Sequence, residues 1–251
     1  MKTLIAITDL TRMYHGNVCV AGYDTQHNPV RFVQRSGISE EYLYEDGKAV
    51  IYPWAAIEVD LLRNTPDPPH CEDYEFDPDS IRFDHRIKDD RKKIVLGWSL
   101  APTLQGVFDQ PVLHNPGHHV MEGKGTRSLG TVMAHAIKAV EYTEGDDGAF
   151  GYRLLFKDAE DWHSLKITDL TWTYYCHHLL ASGRDRAEVQ EELTVMLRHS
   201  IVYLRIGLSR HWKKFPDCCF LQINGIHTFP DYLQGKTFAD FKPMKQEASP
   251  R

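Results

Sequence analysis

The chain has 251 residues, of which 42% are hydrophobic, 11% aromatic and 25% charged, a composition that excludes a disordered, collagenous or coiled-coil polymer and describes a globular protein. That length suits one large β-rich unit or two small barrels of about 100 to 125 residues each, and two modules are the expectation. The formal charge of −6 counts on average against a nucleic-acid partner, whose binding is driven largely by phosphate neutralisation.

The first segment, TLIAIT (3–8), turns polar at Thr8 and Asp9 before a signal-peptide core develops. No stretch approaches the roughly 18 apolar residues of a membrane span, so a soluble, cytoplasmic protein with no membrane partner is expected. TLIAIT, VCVAGYD (18–24) and VRFVQ (30–34) read as strands broken into hairpins by Gly/Asn/Pro clusters. The run 49–62 is β-branched and aromatic, and Pro53 demotes its first half to an edge or bulge. Residues 66–80 read as a turn-rich acidic loop that its prolines keep from being a regular element. IVLGWS (94–99) reads as a strand, SLAPTLQGVFD (99–109) as a short helix capped by Ser99, and 110–125 as a loop holding the module boundary.

Three strands follow in TVMAHAIKAVEY (131–142), FGYRLLF (150–156) and WHSLKIT (162–168), with EGDDG (144–148) as the first hairpin turn. Two helices come next: Gly183 ends the first, while Asp185 and Glu188 cap the second, whose Val189, Leu193, Met196 and Leu197 share a face. The chain closes with strands at 201–208 and 218–226, with Asn224-Gly225 favouring a turn and Pro230 ending a strand. Three strands, a helical insert and two strands is the order of an OB barrel. The expected fold is therefore mainly β with inserted helices: two OB-like barrels in tandem, residues 1–112 and 113–251, the helical insert at about 169–199.

The net charge hides an asymmetry. Residues 40–79 carry twelve acidic side chains against Lys48 and Arg63, a local charge of −10, so the remainder sums to +4. That excess is concentrated in Arg82, Arg86, Lys88, Arg91, Lys92 and Lys93, and in Arg210, Lys213 and Lys214. The first run, diluted by Asp84, Asp89 and Asp90, reads as a solvated loop.

CVAGYD (19–24) with VRFV (30–33), PPHCED (68–73), IVYLRIGLSR (201–210) and FLQINGIHTFPDYL (220–233) together resemble the prokaryotic dual OB domain-containing family. Phe32 departs from that family's Arg-Pro-Val-like step, while Arg31 keeps it. The resemblance implies two barrels and a nucleic-acid-related role, and it supplies no active-site residues.

RHWKKF (210–215) would connect the fourth and fifth strands of the second barrel, a place where OB folds hold oligonucleotides. Arg210, Lys213 and Lys214 suit a phosphate backbone, and Trp212 or Phe215 offers a face to a base. Arg153, Phe156, Trp162 and Lys166 lie on adjacent strands, with the outward members left open by the register. Arg31 and Arg35 are the counterpart in the first module. For each, the competing reading is ordinary packing or a solvated charge.

His114, His118 and His119 suggest zinc, but Pro116 and Gly117 prevent a helical ligand face and no general-base glutamate accompanies them. Cys176, His177 and His178 are neighbours on one expected helix and so point about 100° apart, which prevents a nucleophile–base hydrogen bond, and core packing accounts for them better. Asp84, His85, Asp89 and Asp90 lie among cations that oppose a divalent metal. The five cysteines (Cys19, Cys71, Cys176, Cys218, Cys219) lack a CxxC pair and are expected reduced. Phosphate-loop, dinucleotide-binding and nucleophile-elbow motifs are absent. The expected function is a non-enzymatic nucleic-acid-binding accessory protein without metal or cofactor, holding single-stranded or structured DNA or RNA. The alternatives are an adaptor that binds a basic partner through residues 40–79, or lets that acidic segment cover the basic loops, and a metal-dependent nucleic-acid-processing enzyme built on the three histidines.

Overall fold

A computed structural model describes residues 2–13, 16–144 and 150–242. Strands β1 (Lys2–Arg12), β2 (Asn17–Asp24) and β3 (Pro29–Val33) follow one another by hairpins. A short strand β4 (Ile38–Ser39) pairs β2, a 3-10 turn spans Glu40–Leu43, and β5 (Tyr44–Glu45) pairs β6 (Lys48–Ala49). Strands β7 (Ala55–Asn64) and β8 (Asp73–Arg86) then close a barrel in the order β1-β2-β3-β8-β7, with β3 and β8 parallel. Its core is the inward set of these strands, including Ile5, Ile7, Val20, Phe32, Ile57 and Phe76. β7 begins just beyond Pro53, as a proline that cannot donate to a ladder requires. Gly22 has no room for a side chain, since a Cβ there would stand 2.1 Å from the Ala6 carbonyl oxygen on β1.

Three local expectations need correction. Residues 73–80 are not loop but the start of β8, and Pro78 falls where the register slips between Glu58 and Asp60 on β7. A bulge leaves ladder groups unpaired, so proline fits there, and the freed Asp60 N–H donates to Ser80 Oγ instead (2.8 Å). IVLG belongs to a helix, α1 (Asp89–Gly97), opened by Asp89 and Asp90 in its first turn. Its Val95 and Leu96 pack with Tyr23 and Trp54, a burial that a four-residue apolar run satisfies in either conformation. Ser99 caps nothing: Leu100–Ala101 forms an edge strand, β9, and only Leu104–Gly106 is helical, as a 3-10 turn behind Thr103.

The second barrel begins after β10 (His119–Met121) with β11 (Leu129–Ala134) and β12 (Ala136–Glu144), one strand bent at His135. β13 (Phe150–Lys157) and β14 (Trp162–Ile167) follow, then helices α2 (Leu170–Ala181) and α3 (Arg186–Arg198), then β15 (Ile201–Leu208) and β16 (Cys218–Phe229). Pairing runs β12-β13-β14-β16-β15-β11, with β14 and β16 parallel, which closes the barrel through the bent strand. The turn expected at EGDDG falls at residues 145–148, outside the described ones, with Glu144 ending β12. The capping box of Asp185 and Glu188 is present. Asp169 caps α2 through the Thr171 and Trp172 N–H groups and also accepts from Ile226 N, pinning the helix to β16. Asn224-Gly225 is not a turn but a bulge inside β16, because Arg205 pairs Gly225 while Ile206 pairs Ile223.

The sheets change over between Arg86 and Leu100, upstream of the expected module boundary at 112/113. Ala101, Leu104, Val107, Phe108 and Val112 pack in the second core. The barrels meet along a polar seam. Arg205 on β15 is fully buried and donates to both carboxylate oxygens of Asp9 on β1 (2.9 Å each), and to Tyr23, Ser99 and Thr131 hydroxyls. A second junction joins Glu72 to Ser128 through its backbone N–H (2.6 Å) and hydroxyl (2.8 Å). No described helix is long and apolar enough to cross a membrane, and all five cysteines are free.

Candidate functional site

The β15–β16 loop (209–217) is a tight turn: Phe215 N–H donates to the Trp212 carbonyl at 2.8 Å. Phe215 packs edge-on between Trp212 and Phe220, with both centroid separations 5.5 Å, so the loop is anchored on the barrel end by an aromatic stack. Trp212 nevertheless stays 52% exposed. Lys213 and Lys214 are exposed, and among the described residues neither enters an ion pair. Arg210 differs from them: it reaches Asp67 at 3.2 Å and also pairs with the buried Asp73, both from the first barrel.

Strand alternation settles the barrel face. Phe156 points inward and is fully buried, while Arg153, Trp162 and Lys166 lie on the outer side. Arg153 stands directly across from Lys166 and donates to Ser164 Oγ (3.0 Å) and its carbonyl (2.6 Å). Lys166 is exposed, and Trp162 is 54% exposed. β14 and β16 run parallel with Lys166 beside Gln222. Their first residues, Trp162 and Cys218, therefore open at one barrel end, the end that carries the 209–217 loop. In the first barrel, Arg35 is exposed in the turn after β3. Arg31 is instead buried, with Nε 2.7 Å from Asp73 Oδ1 and a terminal nitrogen 3.1 Å from Ser128 Oγ. Its neighbour Phe32 stacks on Phe76 in the core at 4.8 Å.

The three linker histidines do not converge. His119 turns its Nδ1 to the Gly117 carbonyl and its ring toward Phe220. His118 instead meets His163 of β14 (Nε2 to Nδ1, 3.2 Å), which in turn meets Asp158 (2.8 Å), with the His114 ring 4.7 Å away. Burial, then His163, His114 and Arg153, push His118 down to about 4, so it is neutral near pH 7. Cys176 is core, its thiol pushed up by burial. Asp84 pairs His85, and Asp89 pairs the buried Lys92 (2.8 Å), away from any common centre.

The acidic segment is likewise dispersed. Glu72 and Asp73 are buried in the seam, Asp67 holds Arg210, Glu75 holds Arg63, and Glu40 holds Lys242. Glu41, Glu45, Asp46 and Asp79 remain exposed.

The model of the dual OB-containing domain matches residues 5–226. The chain belongs to the dual OB-containing domain family. No curated protein matches the chain. In this dual OB protein the strings that carry the family likeness are largely the seam: Tyr23 of CVAGYD, Arg31 of VRFV, Glu72 and Asp73 of PPHCED, Arg205 and Arg210 of LRIGLSR. No spacing in the sequence marks the Arg205–Asp9 pair, because partners 196 residues apart leave no local signal.

Proposed function

We propose that this dual OB protein binds single-stranded nucleic acid on the open end of its second barrel. Trp212 and Trp162 serve as stacking platforms, and Lys213, Lys214, Lys166 and Arg153 as phosphate partners. The observation that carries the reading is the exposed Trp212 beside two lysines that have no acidic partner among the described residues, on a turn anchored by Phe215 and Phe220. A rigid platform pays little ordering entropy on binding, and one stacked base contributes on the order of 1–3 kcal/mol. Arg210 positions the loop through Asp67 and Asp73, and Arg35 extends the basic surface on the first barrel. The free cysteines suit a reducing compartment such as the cytoplasm.

Fluorescence anisotropy with labelled single- and double-stranded DNA and RNA at two salt concentrations tests the proposal. Saturable binding that weakens with salt is expected, strongest for a single strand, with Trp212→Ala losing about tenfold or more in affinity. Absence of binding to all four probes by the folded protein removes the proposal. An adaptor role would instead show as a basic partner that releases when Glu41, Glu45, Asp46 and Asp79 are neutralised.

A further inference from the structure

Beside the Arg210 junction, three metal-ligating side chains converge that the nucleic-acid reading does not use. His70 comes from the β7–β8 loop of the first barrel, Glu122 follows β10, and Cys219 is the second residue of β16. One ligand atom from each lies within 4.8 Å of the other two. His70 and Cys219 are wholly buried, and Glu122 is half-buried. Nδ1 of His70 is enclosed without a hydrogen-bond partner among the described residues, although a buried imidazole nitrogen ordinarily finds one. The Cys219 thiol donates to Glu122 Oε2 (2.5 Å), and the other Glu122 oxygen faces His211 Nδ1 at 3.1 Å on the open side.

We propose that His70, Glu122 and Cys219 bind one zinc-class divalent ion, with the fourth position on the open side beside His211. The donor set decides the metal class: imidazole, thiolate and carboxylate suit zinc, whereas magnesium and calcium take oxygen ligands. Binding converts the thiol to a thiolate as the Cys219 proton leaves to solvent. The Zn2+ charge is then balanced by one thiolate and one carboxylate. The nearby guanidiniums of Arg31 and Arg210 are already matched by Asp73 and Asp67, so they leave no uncompensated positive charge against the ion. The ion would tie the β7–β8 loop of one barrel to the end of the other, bracing the base of the 209–217 loop. This assignment does not depend on nucleic-acid binding.

The test is Co2+ titration of the chelator-treated full chain, followed by its thiolate-to-cobalt absorption band, with Zn2+ competition and metal analysis of the untreated protein. One equivalent bound with that band, displaced by Zn2+, is expected. Cys219→Ser should abolish the band, Glu122→Gln should weaken binding at least tenfold, and Cys71→Ser should leave both unchanged. Added Zn2+ should raise the Tm of the wild type and not that of Cys219→Ser, since only a state that binds is stabilised. Less than a tenth of an equivalent bound, or a band that survives Cys219→Ser and disappears with Cys71→Ser, overturns the assignment. Cys219→Ala, which keeps an apolar residue on the buried strand, replaces the serine variant if that one fails to fold.

Discussion

The seam between the barrels and the open end of the second barrel use the same side-chain types for opposite purposes. In the seam, Arg205 is fully buried and donates to Asp9, Tyr23, Ser99 and Thr131. On the open end, Lys213 and Lys214 have no ionic partner among the described residues and stand in solvent. Arg210 lies between the two, exposed at one side and tied to Asp73 at the other. A cation inside a low-dielectric interface must be matched or it destabilises the fold, whereas a cation in water keeps its hydration and its charge available for a ligand. Basic residues in this chain therefore divide by partner and burial rather than by position along the sequence.

The largest effect is expected from Arg205→Ala. Asp9 would be left buried without a cation, which costs about 3–5 kcal/mol. Lys214→Ala should change stability by no more than about 0.5 kcal/mol. Urea midpoints of the two variants measure the contrast, and equal costs would mean that the seam does not hold the barrels together.

How far this division was legible follows from the same physics. β15 could be read letter for letter, because IVYLRIGL is a short run rich in β-branched and aliphatic residues bounded by a helix end and a loop. The α3 capping box was legible because both of its partners lie within four residues. β8 was hidden because Pro78 looks like a strand breaker until the bulge that accommodates it is seen. α1 was hidden because IVLG fits either period. At the candidate site, the Trp212, Lys213 and Lys214 turn was legible from the OB order alone. The separation of buried Arg31 from exposed Arg35 was not, since burial is decided by Asp73 and Ser128 from other segments. His70, Glu122 and Cys219 obey no spacing rule and meet only through folding.

Acid should weaken the seam. His227 is buried there, with Nε2 3.1 Å from the Thr8 carbonyl and its ring against Trp54. Burial, then the charge of Arg205, push it down to about 3; the Thr8 hydrogen bond opposes this and Lys92 adds to it. Below the ordinary histidine value of about 6.5 the unfolded chain takes up a proton that the folded chain refuses. Stability is thus present above that value and falls as pH drops toward 3. Between pH 7 and pH 5 this one group should remove about 2 kcal/mol. His227→Gln keeps a donor for Thr8 and should flatten that part of the urea-midpoint profile. A profile of unchanged slope would assign the acid sensitivity to other groups.

The smallest effect on stability should accompany the clearest effect on binding. Lys213→Gln with Lys214→Gln removes two charges that no acidic group in the described fold opposes, so the urea midpoint should stay within about 0.5 kcal/mol of wild type. If both lysines contact phosphates of a single strand, the slope of log affinity against log salt should flatten by about 1.4, at roughly 0.7 per contact. Arg31→Gln should behave inversely, lowering the midpoint and leaving the slope of the folded fraction unchanged, because its guanidinium is spent on Asp73 and Ser128 inside the protein. An affinity loss in the lysine pair with no change in slope would mean that the turn contributes through its shape and Trp212 alone. A slope that flattens in Arg31→Gln would place phosphate contacts in the seam and erase the distinction between the two regions.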